Sequence, residues 1–154
     1  MKALSIVDFH PDYAPKFKEL NVAWLQKYFY VEPKDSYLLE HCEESIINKG
    51  GYILFAKLEN KIVGCLSYIP NENGDFELGK MAVDEAHHGQ NIGQQLLTYG
   101  LEFAKNKGWK KVILYSSTKL PSALHIYRKF GFVEIPLEAD LPYARSDIKM
   151  ELIF

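Results

Sequence analysis

The chain has 154 residues, 47% hydrophobic and 25% charged, ordinary globular values with enough length for one domain over 1–154 and a real core. A formal net charge of −2 excludes the broad basic field that grips nucleic acid nonspecifically, and no segment has the apolar length needed to cross a bilayer. Cys42 and Cys65 stand far apart without metal-ligand spacing, which favours reduced thiols and a cytoplasmic protein.

In chain order, MKALSIVDFH reads as a first strand over 3–9 and not as a signal segment, because charge interrupts the apolar run and no small-residue cleavage site follows. Pro11 and Asp12 open a helix whose apolar positions Phe17, Leu20, Trp24 and Tyr28 recur at helical spacing, and a second short helix is expected over Ser36 to Asn48. After Gly50 and Gly51, GYILFAKL and KIVGCLSYI flank the turn Glu59–Asn60 as a hairpin, and NENGD turns the chain into FELGKMAV. From Gln90 the period changes. Ile92, Leu96, Leu97, Gly100, Phe103 and Ala104 share one side of a helix that Gly108 ends. KVILYS has the composition of a buried strand, TKLPSALHIYRKF that of a short helix capped by Gly131, and GFVEI and SDIKMELIF that of the last strands. The order predicts a three-layer α/β sandwich: one mixed, mostly antiparallel sheet with helices on both faces.

The junction VDEAHHGQNIGQQLL lies between a strand and a helix. A helix start leaves about four backbone N–H groups unpaired and carries roughly half a positive charge, which suits an anion such as phosphate. Gly89 and Gly93 keep side chains away from the backbone, and Asn91 tolerates positive φ. The other reading is a plain strand-to-helix connection. The neighbouring His87 and His88 make a poor metal site, since adjacent side chains diverge and no third ligand stands at usable spacing.

MAVDEAHHGQNIGQQLL resembles the pyrophosphate loop of the GNAT superfamily of acyl-CoA-dependent N-acyltransferases, with His88, Asn91 and Gly93 at its three key places, the first usually Arg or Gln and the second usually Gly. SALHIYRKFGF is similar to the later segment of the same family, with its alanine, tyrosine and final Gly-Phe in register. The resemblance covers residues 51 to 153 closely and residues 1 to 50 in general layout. It implies acetyl-CoA as cosubstrate and no metal. His88, Gly89, Gln90, Asn91, Ile92, Gly93 and Gln94 would hold the diphosphate, and the strand at Met81, Ala82 and Val83 would lie along the pantetheine arm. It implies, further, that Tyr127 also contacts the cofactor and donates to the departing sulfur, an uphill transfer of roughly 2 kcal/mol from a phenol to a thiolate. Histidine, unlike arginine, is only partly charged at pH 7, so phosphate binding through His88 is expected to be weaker or pH-dependent. Leu120 stands where the family has an asparagine, which removes one cofactor contact.

Acyl transfer needs a neutral amine, and neutralising an alkylammonium at pH 7 costs about 4 kcal/mol without help. Glu77 is the candidate base, since simple pleating puts Glu77, Gly79, Met81 and Val83 on one strand face and the family often has a glutamate there. The alternatives are a surface carboxylate for Glu77 and a core aromatic for Tyr127. For the acceptor, Tyr28, Glu32 and Asp35 cluster where two helices turn, and Tyr143 comes from a late loop; most of that acidic, aromatic segment also reads as two amphipathic helices. The expectation is an N-acetyltransferase acting on a small-molecule or peptide amine by direct attack in a ternary complex, as monomer or homodimer. A noncatalytic acyl-CoA-binding sensor or assembly module is the second reading. A P-loop is disfavoured because no Lys-Ser/Thr follows the glycine.

Overall fold

In the computed structural model, which describes residues 3–154, seven strands form one sheet in the order β1-β2-β3-β4-β5-β7-β6. The strands are β1 (Leu4–Asp8), β2 (Tyr52–Leu58), β3 (Lys61–Pro70), β4 (Phe76–Val83), β5 (Lys111–Ser116), β6 (Val133–Ile135) and β7 (Ile148–Ile153). Every neighbouring pair is antiparallel except β4 and β5. Helices α1 (Ala14–Tyr28) and α2 (Pro33–Glu40) cover one face, and α3 (Ile92–Asn106) and α4 (Pro121–Lys129) the other. The expected mixed, mostly antiparallel three-layer sandwich is the architecture observed.

Period-two alternation makes the two cores. Ile53 and Phe55 of β2 face Phe17, Leu20 and Leu25 of α1 and Leu38 and Leu39 of α2, whereas Leu54, Ala56 and Leu58 face Leu96, Leu97 and Leu101 of α3. All of these side chains are buried. The sheet therefore carries two separate apolar layers, which is the dominant favourable term for a chain of this size.

The second helix differs from expectation at both ends. It starts at Pro33 instead of Ser36, because Glu32 and Asp35 form a reciprocal cap, with the Glu32 N–H donating to Asp35 Oδ2 at 3.0 Å. It ends at Glu40, and a π turn (Glu43–Ile47) completes the segment. The helix after Gln90 begins in earnest at Ile92, and the last two strands are shorter than their apolar runs. Among the described residues, no helix is long and apolar enough to cross a membrane.

Candidate active site

The site begins with a fault in β4. Cys65 pairs with Ala82 but Ser67 pairs with Gly79, so Lys80 and Met81 together oppose Leu66 as a β-bulge. Lys80 takes the left-handed conformation, φ 48°, which costs a residue with a Cβ about 1–2 kcal/mol. Side chains of β3 complete the bulge: Ser67 Oγ donates to the Gly79 carbonyl at 2.8 Å and Cys65 Sγ to the Lys80 carbonyl at 3.3 Å.

The bulge reverses which side each residue faces, and this corrects the simple pleat expected for the strand. Phe76 and Leu78 before it, and Met81 and Val83 after it, all pack toward α3. Glu77, by contrast, shares its face with Gly79, whose Cβ position lies 3.3 Å from Glu77 Oε2, and Ala82 packs toward α1 and α2. Glu77 is thus on the opposite face from Met81 and Val83.

Next to the bulge the sheet opens. β4 and β5 pair only at Phe76–Val112 and Glu77–Ile113, after which the parallel strands separate. From Leu78 to Val83 the edge of β4 that faces β5 has no strand partner among the described residues, and a cleft of about 960 Å³ fills the gap. It reaches from the start of α3, past Met81, Ala82 and Val83, to Glu77, Tyr127 and Tyr143.

At one end stands the turn before α3. Gly89 (φ 85°) and Asn91 (φ 61°) are both left-handed, and the first helical bond runs from the Gln95 N–H to the Asn91 carbonyl at 3.0 Å. The backbone N–H groups from Gly89 to Gln94 have no protein acceptor among the described residues, and those of Asn91, Ile92, Gly93 and Gln94 belong to the helix start. Gly93 and Gln94 line the cleft, whereas Gln90 is exposed and does not. A Cβ on Gly93 would make only ordinary contacts, 3.7 Å from Met81 Cε and from Val83 Cγ2. His88 is exposed and its Nε2 lies 3.2 Å from the Val83 carbonyl. Since a carbonyl only accepts, Nε2 carries a proton there, and Nδ1 becomes a second donor only in the imidazolium form.

Tyr127 reaches the cleft from α4, its ring edge-on to Phe132 at 5.9 Å between centroids. Gly131 (φ 102°) closes that helix, letting the Phe132 N–H return to the Tyr127 carbonyl at 3.0 Å. Burial pushes the Tyr127 hydroxyl up, so it is a proton donor at neutral pH. Glu77 is 9% exposed and lines the cleft without a hydrogen bond or ion pair among the described residues. Burial raises its carboxyl, against the pull of Lys34, Lys80 and Arg145.

The acceptor candidates divide. Tyr28 and Tyr143 line the cleft, whereas Glu32 and Asp35 do not. The carboxylate of Asp35 is fully buried and takes a two-pronged bond from Arg145, Nη1 to Oδ2 at 2.7 Å and Nη2 to Oδ1 at 2.9 Å, together with one from Lys80 Nζ. Burial works against charge on Asp35, but these cations outweigh it and hold the group at about 2. Glu32 accepts from Arg145 Nη1 at 3.0 Å and from the Ala144 N–H at 2.9 Å. Both acids thus clamp α2 to the loop before β7, which corrects the expectation that they attract an amine themselves. The Tyr143 hydroxyl accepts from Lys80 Nζ at 3.2 Å, and its ring lies 4.3 Å from both Lys80 Nζ and Arg145 Cζ.

Sequence reasoning passed over Lys80 and Arg145. Lys80 looks like an outward-facing strand lysine until the bulge turns it inward, and Arg145 lies 110 positions from its partner Asp35.

The model of the Acetyltransferase (GNAT) family matches residues 17–132. N-acetyltransferase 8B of Homo sapiens is 31% identical over 88 residues, 54% of this chain and 39% of that protein. The chain spans about two fifths of the length of the curated relatives it matches first. Among solved structures, an acetyltransferase of the GNAT family from Staphylococcus aureus Mu50 superposes with a TM-score of 0.84 over 97% of this chain and 98% of that one, at 24% identity. PaiA N-acetyltransferase of Thermoplasma acidophilum, solved in complex with coenzyme A, gives 0.78 over 99% of both chains at 18% identity. A family model matched over well more than half of the sequence, around the same fold, means that this chain belongs to the GNAT acetyltransferase family.

Proposed function

We propose that the protein is an acetyl-CoA-dependent N-acetyltransferase that joins donor and amine in one ternary complex. The observation that carries this reading is the run of unpaired N–H groups at Gly89 and Asn91–Gln94, at one end of a cleft that also holds Tyr127 and Glu77. Oriented amides at a helix start are suited to a diphosphate. The unpaired edge of β4 at Met81, Ala82 and Val83 offers N–H and C=O groups to the amides of a pantetheine arm, as an added strand would use them.

In the proposed reaction Glu77 takes a proton from the bound ammonium, directly or through water. The freed nitrogen lone pair attacks the thioester carbonyl, a C–N bond forms, and the C–S bond breaks. Tyr127 supplies its hydroxyl proton to the leaving sulfur; the second proton, shed by the nitrogen once the C–N bond has formed, passes through solvent to restore Tyr127, and Glu77 releases the first to bulk water. Direct attack is supported by the cysteines: both are buried, and burial pushes the Cys65 thiol up to about 12, far from a nucleophilic thiolate. Tyr28 and Tyr143 are the proposed acceptor contacts.

The test is thiol release from acetyl-CoA across a panel of amines, with the native chain, Tyr127→Phe and Glu77→Gln. Turnover with at least one amine, reduced in both variants, is the expected result. Coenzyme A binding with no turnover for any amine would instead favour a noncatalytic binding module.

A further inference from the structure

The charges around the cleft are almost all accounted for by one another. Lys16 pairs with Glu19 at 3.3 Å, Lys27 with Glu85, and Asp84 with Lys61 at 3.7 Å. Lys80 and Arg145, the two cations nearest Tyr143, are held by Asp35 and Glu32. Of the carboxylates lining the cleft, Glu77 alone is without an ionic or hydrogen-bonding partner among the described residues, and it is nine-tenths buried. Lys119 is the lining lysine without a carboxylate in contact; it is exposed at the rim, 5.9 Å from the centre of the Phe29 ring.

The apolar part of the wall comes from the end of α1. Trp24 stands 6.1 Å from Tyr28 and 5.8 Å from Phe29 between ring centroids, and all three line the cleft. Tyr28 is nearly half exposed, so its ring is open to a ligand. A surface ion pair from Lys27 to Glu85 joins this end of the helix to the segment after β4.

We propose that the acceptor is a small primary monoamine with an aromatic or apolar body, carrying neither a carboxylate nor a second ammonium. This rests on the acetyl-transfer reading above. The ammonium pairs with Glu77, the one carboxylate of the cleft without a partner among the described residues, and the body lies against Trp24, Tyr28 and Phe29. An amino acid is rejected because its carboxylate, next to the amine, meets Lys80 and Arg145 already neutralised. The lysines without a carboxylate in contact stand away from Glu77's end of the lining: Lys119 exposed at the rim and Lys34 exposed behind the Tyr143 ring at 5.1 Å, outside the cleft lining. A polyamine is rejected because its second ammonium finds no free carboxylate.

The experiment compares kcat/KM for 2-phenylethylamine, phenylalanine, spermidine and a short peptide with a free N-terminus, with coenzyme A affinity measured separately by calorimetry. Phenylethylamine is expected to exceed each of the others at least tenfold, in the range a mismatched polar group produces. Tyr28→Ala and Phe29→Ala are expected to raise its KM about tenfold, with kcat within about twofold and coenzyme A affinity unchanged. Phenylalanine, spermidine or the peptide matching phenylethylamine overturns the acceptor class alone. Absence of turnover with all four overturns the acetyl-transfer reading together with it.

Discussion

Glu77 and Tyr127 reach one cleft from different layers of the fold, and each sits in surroundings that fit its proposed task. Burial raises the Glu77 carboxyl above its ordinary 4.5, with Lys34, Lys80 and Arg145 opposing and Glu138 adding to the rise. A base acts only when unprotonated, so kcat/KM is expected to climb as pH rises through the Glu77 value and then level until another group titrates. In Glu77→Gln that acidic limb should vanish and the rate fall about 10²-fold, as pH–rate profiles of the two proteins would register. An unchanged limb would assign the base elsewhere. Tyr127→Phe removes a hydroxyl that has no hydrogen bond among the described residues. Its thermal midpoint should therefore stay near that of the native chain while kcat drops about 10²-fold with thioester substrate. Loss of stability without loss of kcat would mark the ring as core alone.

At the scale of elements, the bulge in β4 and the clamp on α2 are one construction. Lys80 adopts φ 48° and turns its ammonium into the layer where Asp35 waits. Asp35 also holds Arg145, fixing the loop that carries Tyr143. Asp35→Ala leaves buried Lys80 and half-buried Arg145 without their shared partner and is expected to cost about 3–5 kcal/mol in denaturant unfolding. A cost below about 1 kcal/mol would mean that the pairs are replaceable by water. The same group sets an acid dependence. Its folded value of about 2 lies below the ordinary 3.8, so its contribution is complete above pH 4 and is lost as pH falls from 4 toward 2. By linkage this amounts to about 2 kcal/mol, absent from Asp35→Asn.

Much of this level was legible, and the exceptions have physical reasons. Gly89 and Asn91 stand where the backbone turns left-handed, and few residue types tolerate that, so the turn could be read from its letters. The α3 stripe was equally plain, since Ile92, Leu96, Leu97 and Ala104 are all buried. The bulge was not: Lys80 carries no glycine signal, and its strain is offset by Ser67, Cys65 and Asp35, which lie on other elements. For the same reason the partners of Glu32 and Asp35 could not be seen locally. An early acid and a late arginine share no periodicity.

Over the whole molecule, two apolar layers keep the sheet rigid on either side while β4 and β5 part in its middle. The aromatic cluster of Tyr52, Tyr68, Phe76, Phe103 and Trp109, with Phe76 and Trp109 stacked at 3.8 Å, packs where the two strands are still paired. The opening therefore begins beyond a well-packed anchor. It ends at the unpaired amides before α3, so donor and acceptor can be held at opposite ends of one groove. Two-dimensional amide NMR during titration with coenzyme A tests this most directly. Saturable downfield shifts of the Gly89 and Asn91–Gln94 resonances, with smaller ones at Met81 and Val83, are predicted. Saturation that leaves those amides unmoved, or no shift anywhere at millimolar coenzyme A, would contradict the account.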